Sequence, residues 1–565
     1  MKKLLTYSCA ALSACSLFAE SDWVATIEVD SVLTLQTGIA SFCKASDIPL
    51  SLGDISKLTT DTLKEVLPLA SPDTAISFRD PIRIFVLEDA GQPLSKGGAP
   101  VLLFALTLPN DAKILMNQLA QVYGERRNAG NITTFSDPSG NNAAIPKNLL
   151  VSVADHDKAM VATSEAAFAW FKQQQKLDSF LPVAGNQALR ACVNVKQVAG
   201  LMQALPDGQP NPFAAICGDI DYLSLALTPN AQAVTVNCGM RAKAGSVIAT
   251  LLDTMKPPDA ALWSGLPENA FFADAGQQMQ SELSLQFVKT YLNQDIPVDP
   301  IRMKLEKALT GSRIQYIAPT ADKKSLRLVG AEAVKDATVV ATLKEVAQMF
   351  DQLKIPGFGF KKESPRKIGQ LTVERYSLVI DPAALLQAQG VDPAVVNPAT
   401  NPALMLLPAI AKNIIFECAV KDNYLIYSWG SASATDNWIP AFPAAAVTLD
   451  QKIAALDPAA KPLLGAFEFR VTPLLKQIVS MLPNMKPEHL KLFSATPDPI
   501  QGWTAHAADN TTVVTLRIPA NEVASIMKIV TNGQTLLQEI ILSIVAAQMQ
   551  QLMAPQPAAI PPPNF

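Results

Sequence analysis

The sequence predicts an α+β protein built twice: two tandem diverged copies of an antiparallel sheet with helices packed on one face, plus a C-terminal amphipathic helix. Three observations predict it. Apolar runs of strand length and amphipathic stretches of helical period follow one another in the same order in both halves of the 565 residues. Short polar turns separate neighbouring strand-length runs, which implies antiparallel pairing, because parallel strands need a long crossover. The spacing between matching segments drifts slowly, from about 248 to about 280 residues, as expected of one unit used twice and then altered by insertions.

The chain opens on Lys2 and Lys3, then an uncharged apolar stretch from Leu4 to Phe18, with the next charge at Glu20. That is the layout of a secretory signal, assigned to residues 1–19, and it is shorter than the ~20 apolar residues of a membrane span. Cleavage after Ala19 leaves a chain that starts at Glu20. The alternative takes Leu12-Ser13-Ala14-Cys15 as a lipobox, with Cys15 lipidated; the short tether before the strand at Trp23 favours the first reading. The expected location is the periplasm or the exterior, or the outer membrane if Cys15 carries lipid.

The first unit, residues 20–266, begins with a strand at Trp23-Val24-Ala25 and a helix that reaches Asp47-Ile48-Pro49. The second, residues 267–534, begins with Phe271-Phe272-Ala273 and reaches Asp295-Ile296-Pro297. Each continues into a second helix, Ile55 to Val66 and Ile301 to Leu309. A hairpin of Asn148 to Ala154 and Ala159 to Thr163 is matched by Asn413 to Ala419 and Tyr424 to Ser428. Cys192 to Val195, with a helix to Leu205, is matched by Phe467 to Val471 with a helix to Leu482. Leu223 to Leu227 and Val234 to Val236 are matched by Thr504 to Ala508 and Val513 to Thr515. The boundary is placed near Trp263 to Pro267, after Pro257-Pro258. Val340, Leu343, Ala347 and Phe350 form the kind of apolar stripe that covers a sheet.

Residues 535–553 repeat nothing; Leu537, Ile541, Ile544, Val545 and Leu552 lie along one side of an amphipathic helix. It is expected to pack on its own domain, with docking on a partner or a membrane surface as the alternative. Residues 554–565 hold Pro555, Pro557, Pro561, Pro562 and Pro563 and are expected to be an extended, disordered tail.

Without the signal's two lysines, 44 basic residues face 50 acidic ones, a net of −6, in no long block of one sign. Nucleic acid is therefore not the expected partner; another envelope protein, or the chain itself, is. Outside the signal the cysteines are Cys43, Cys192, Cys217, Cys238 and Cys418, an odd set that allows at most two bridges. Cys192 and Cys238 both fall in predicted strands and are one candidate pair. The competing reading makes all five small buried hydrophobes.

Each motif that could carry chemistry has a plainer reading. His156, in Asp155-His156-Asp157, sits at a hairpin tip where Asp is a normal turn former. His489 and His506 lack ligand neighbours at zinc spacing. Ser41-Phe42-Cys43-Lys44 has the S-x-x-K spacing of serine penicillin-recognising enzymes, and Ser139-Gly140-Asn141 and Lys243-Ala244-Gly245 follow in that family's order. Yet Ser41 falls late in its helix, and no hydroxyl residue stands between Lys243 and Gly245. Gly357-Phe358-Gly359-Phe360 reads as a helix stop after Leu353 rather than a phosphate cradle.

One polar feature recurs in both units. Arg126 and Arg127 follow the helix that ends near Val122, and Lys361, Lys362, Arg366 and Lys367 follow the helix that ends near Leu353. Cations there oppose the helix's partial negative end; alternatively they are contacts for an anionic partner such as a lipid head group or glycan. With no catalytic, cofactor or metal set apparent, the expected function is an exported, non-catalytic envelope or surface protein acting as a binding or scaffold module. A carrier of an apolar ligand or lipid, and a hydrolase of an envelope or host polymer with two dispersed carboxylates, are the alternatives.

Overall fold

The computed structural model describes residues 23–88, 100–109, 111–137, 146–173, 187–195, 212–267, 270–277, 281–292, 300–320, 325–336, 338–352, 358–381, 384, 387–388, 414–431, 447–481, 490–507 and 511–533. The signal segment with Cys15, His489, the helix expected at 535–553 and the tail at 554–565 lie outside the described residues.

The first run of strands is β1 (Trp23–Val29), β2 (Ile82–Leu87), β3 (Val101–Thr107), β4 (Glu125–Ala129), β5 (Ile132–Ser136), β6 (Asn148–Asp155), β7 (Lys158–Ala162), β8 (Leu189–Asn194), β9 (Ile220–Pro229) and β10 (Ala233–Ala242). These pair antiparallel in the order β4-β5-β6-β7-β3-β2-β1-β8-β9-β10. The second run is β11 (Phe272–Gln277), β12 (Leu309–Pro319), β13 (Leu326–Val334), β14 (Phe358–Lys362), β15 (Arg366–Ile368), β16 (Leu371–Ile380), β17 (Ile414–Lys421), β18 (Tyr424–Ser431), β19 (Leu463–Phe469), β20 (Ile500–Ala507) and β21 (Thr511–Pro519). β14 and β15 lie end to end along β16 and share one position. The second order is then β14/β15-β16-β17-β18-β13-β12-β11-β19-β20-β21. Position for position it is the order of the first run.

The runs meet where β10 pairs with β21 over nine positions, Ala233↔Pro519 to Arg241↔Thr511. At the middle pair, Thr515 Oγ1 donates to Asn237 Oδ1 at 2.7 Å. All 21 strands thus belong to one sheet. Helices cross the join in both directions. Tyr291, on the helix Ser281–Leu292, packs among Ile220, Ala242, Ile248 and Leu252 of the first run, and its hydroxyl donates to Asp219. In return Lys528, on the helix at 520–533 that follows β21, pairs with Asp47 at 3.3 Å. The two runs are thus tied together by side chains reaching across the join from both sides.

Helices cover both faces of the sheet, not one as expected from sequence. On one face, called A, Ile84, Phe104, Val161 and Val151 are aligned by register and pack against Val32 of the helix Val32–Ala45 and Leu115 and Leu119 of Lys113–Val122. On the other, face B, Phe85, Leu103, Ala162 and Leu150 meet Phe168 and Trp170 of the helix Glu165–Gln173. The cause lies in β2 and β3, whose sequences IRIFVL and VLLFALT are apolar nearly throughout and so need covering twice. In the second run face A holds Cys418 and Leu425 under Ala308 of the helix Pro300–Ala308 and Val339 of the helix Val339–Gln352. Face B holds Ala275, Ile314, Ala331 and Ile426 under Ile453 of the helix Leu449–Leu456. Leu262, Trp263 and Leu266, at the expected boundary, pack into this second core.

The expected hairpin at β17–β18 closes through Asp422 and Asn423, at φ 50° and 65°, the left-handed values that tight hairpin turns demand. No cysteine is bridged among those described. Cys192 is opposite Ser224, whereas Cys238 is opposite the next residue, Leu225, so the candidate pair points to opposite faces. Cys43, Cys192 and Cys418 are buried as expected of small hydrophobes, while Cys238 is exposed.

Candidate binding surfaces

The recurrent basic residues are not helix caps. Arg126 and Arg127 belong to β4, all five residues of which are exposed, and Lys361, Lys362 and Lys367 stand exposed on β14 and β15. They therefore occupy the two outer edges of the sheet, where charge discourages edge-to-edge association. Phe358-Gly359-Phe360 belongs to strand β14, while Gly357, the first glycine of the expected helix stop, lies outside the described residues.

Arg366 turns inward. Its Nη2 lies 2.7 Å from Glu417 Oε2, Arg375 Nε lies 3.1 Å from Oε1, and Arg327 Nη1 reaches Oε2 at 3.9 Å. Glu417 is buried, so the arginines offset the cost of taking a carboxylate out of water. Glu28 is held likewise by Arg190 at 2.9 Å and Arg83 at 3.3 Å from the strands on either side. Both networks fasten strands together.

The join of β10 and β21 frames a different surface on face A. There Leu225, Cys238 and Val514 stand side by side across β9, β10 and β21, and Leu227, Val236 and Leu516 form the row beside them. No charged side chain interrupts these two rows. Leu223 is 42% exposed and Val514 47%, high values for aliphatic groups on a sheet. The helix Val32–Ala45 borders one end of the strip, with Gly38 directly over Pro229; a Cβ at Gly38 would lie 2.4 Å from the Pro229 carbonyl oxygen. The helix Val247–Thr254 and Tyr291 border the other end, over Ala242. An apolar floor between helices standing on the same face is a trough.

The trough floor continues into the second run. The ring of Phe467 lies over Gly502, where an added Cβ would come within 2.2 Å of it. Beyond it the floor turns polar. Gln315 Nε2 donates to Asp274 Oδ2 at 3.3 Å, Arg313 Nη2 stands 4.0 Å from Asp274, and Tyr427 donates to Glu332 Oε1 at 3.4 Å. Burial pushes the carboxyls of both Asp274 and Glu332 up, and Arg313 partly opposes this in each. Burial beside Glu332 also pushes the Tyr427 phenol up. Two carboxylates thus share one guanidinium at the edge of an apolar floor, the mixture of apolar lining and few polar groups common in ligand sites.

The other sequence motifs are dispersed. His156 is in the two-residue turn between Asp155 and Lys158, and His506 is on β20 opposite Thr512. Ser41 and Lys44 lie late in the helix Val32–Ala45. Among the described residues no group of three His, Cys, Asp or Glu side chains could hold a metal.

No family model matches the chain, and no curated protein matches it. One solved structure, "Structure of crystal form IV of TP0453", aligns with 39% of this chain and 78% of its own at 8% identity, with a TM-score of 0.21. A likeness at that level carries no functional argument.

Proposed function

We propose that the chain is an exported, non-catalytic binding module of a bacterial envelope, made of two diverged copies of one α+β unit joined through β10 and β21, and that its ligand is an aliphatic chain such as a fatty acyl group. The observation that carries this reading is the trough, with Leu223 and Val514 open to solvent and two rows of its floor at the join without charge. Contiguous exposed apolar surface of this kind marks binding sites, because covering it gains ~25 cal/mol per Å². Two concave troughs cannot fill one another, so a slender ligand fits better than a second copy. The reading as two copies is supported by the shared strand order; export is supported by the layout of residues 1–19. Among the described residues no helix is long and apolar enough to cross a membrane.

The cations at the sheet edges, Arg126, Arg127, Lys361, Lys362 and Lys367, give a separate set of contacts for an anionic partner. Arg366 is committed to Glu417.

Displacement of a fluorescent fatty acid by palmitate tests the aliphatic ligand. Val514→Asp places a charge on the floor at an exposed position, which the fold tolerates, and is expected to weaken binding by about tenfold or more. Equal affinity in both proteins, or none in the wild type, contradicts the reading. A second copy seated on the strip would instead appear as a dimer on sizing that Val514→Asp dissolves.

A further inference from the structure

The two edges of the sheet are built differently. At one, β14 and β15 are separated by Glu363-Ser364-Pro365. An interrupted edge next to a proline is poorly able to accept a further strand, since proline cannot donate to a ladder. At the other edge, β4 runs without proline or bulge, in unbroken register with β5 from Glu125↔Ser136 to Ala129↔Ile132. Its five residues are exposed and, among the described residues, β5 is its one strand neighbour. One row of its backbone N–H and C=O groups therefore faces outward, in the geometry that takes an added strand.

Charge restricts what could be added. Arg126 and Arg127 project to opposite faces, and the ion pair of Arg127 with Glu125, at 3.3 Å, is exposed on both sides. A second copy pairing antiparallel through its own β4 in a register centred on Arg126 and Arg127 would bring these arginines against one another, which is unfavourable across a ladder. An acidic strand would set carboxylates beside them.

We propose that β4 is a docking edge for an extended acidic segment of a partner protein, added to the sheet as a further strand. The inference rests on the reading of Arg126 and Arg127 as contacts for an anionic partner and specifies how that partner is held: by backbone hydrogen bonds as well as charge.

The test uses the mature protein and a labelled peptide of about nine residues, alternating Glu and Val, a length typical of strand addition. A twin peptide carries N-methyl groups on alternate backbone amides, placed in turn on each of its two edges. Binding by the plain peptide is expected. It should weaken about tenfold or more with one of the methylated twins, and likewise with the plain peptide against Arg126→Glu/Arg127→Glu. Lys361→Glu/Lys367→Glu at the interrupted edge should leave it within about twofold. Equal binding of all peptides, lost in the arginine variant, overturns strand addition while leaving β4 a charge contact. Binding unaffected by the arginine variant, or no binding at all, overturns both.

Discussion

The two runs of strands share an order, but among the described residues their larger buried clusters lie on opposite sides of the sheet. In the first, face A carries the larger cluster, in which Phe104, Leu115, Leu119, Tyr123 and Phe135 are almost wholly buried. In the second, the larger cluster among the described residues is on face B, around Ile314, Ala331, Ile426 and Trp503, while the described face-A cluster holds Ala308, Val339, Cys418 and Leu425, with buried Tyr376 on the same face. Strand order and core placement are thus separable: pairing depends on backbone groups and register, whereas core placement depends on which of two alternating sets of side chains is apolar. On face A of the second run Asp274, Arg313 and Glu332 occupy the floor, next to the apolar trough at the join.

The largest expected effect probes the face-B network of the second run. Glu417→Gln leaves Arg327, Arg366 and Arg375 gathered around a neutral group and should cost about 3–5 kcal/mol in denaturant unfolding. A cost below about 1 kcal/mol would mean the network does not fasten β13, β15, β16 and β17. Next come truncations on face A. Leu119→Ala, fully buried in the first-run cluster, should cost about 2–5 kcal/mol, and Leu343→Ala, only partly buried on face A of the second run, clearly less than that. Equal costs would break the asymmetry.

Smaller, and read as a pH dependence, is Glu332→Gln. Burial raises the folded carboxyl's pKa above its unfolded value. A group so shifted contributes stability at acidic pH that is lost as pH rises through the folded pKa. The glutamine variant escapes that loss, so its stability relative to wild type should increase from acid to neutral pH; a flat difference would show that Glu332 is not held in a protonation-sensitive site. Smallest is Asp47→Ala, which removes an ion pair to Lys528 whose side chains are 54% and 64% exposed and should change stability by under about 1 kcal/mol.

Much of this was legible in the sequence. Alternating runs and turn residues placed both hairpins, and the matched segments anticipated a common order. The basic residues were read at helix ends rather than in strands for a physical reason: they follow helices, where cations are favourable, and a strand such as ERRNA lacks the apolar alternation by which a half-buried strand is recognised. An edge strand with both sides in water needs no such alternation. The second layer of helices was signalled by the unbroken apolar character of β2 and β3, which alternation-based reading passes over. The trough left no local trace, because Cys238 and Val514 become neighbours only when β10 meets β21. Nor could spacing reveal that Arg327, Arg366 and Arg375, from three strands, converge on Glu417.

Cys238 stands in the middle of the trough and is the exposed one of the five described cysteines, beside half-buried Cys217 and buried Cys43, Cys192 and Cys418. Its rate of alkylation by a thiol reagent, with and without saturating palmitate, therefore reports directly on whether an aliphatic chain lies there. The expected result is protection of Cys238 by about tenfold or more with Cys217 unchanged, as for a thiol covered by a bound ligand. Palmitate binding that leaves the Cys238 rate unaltered would place the ligand elsewhere and remove the trough from the site.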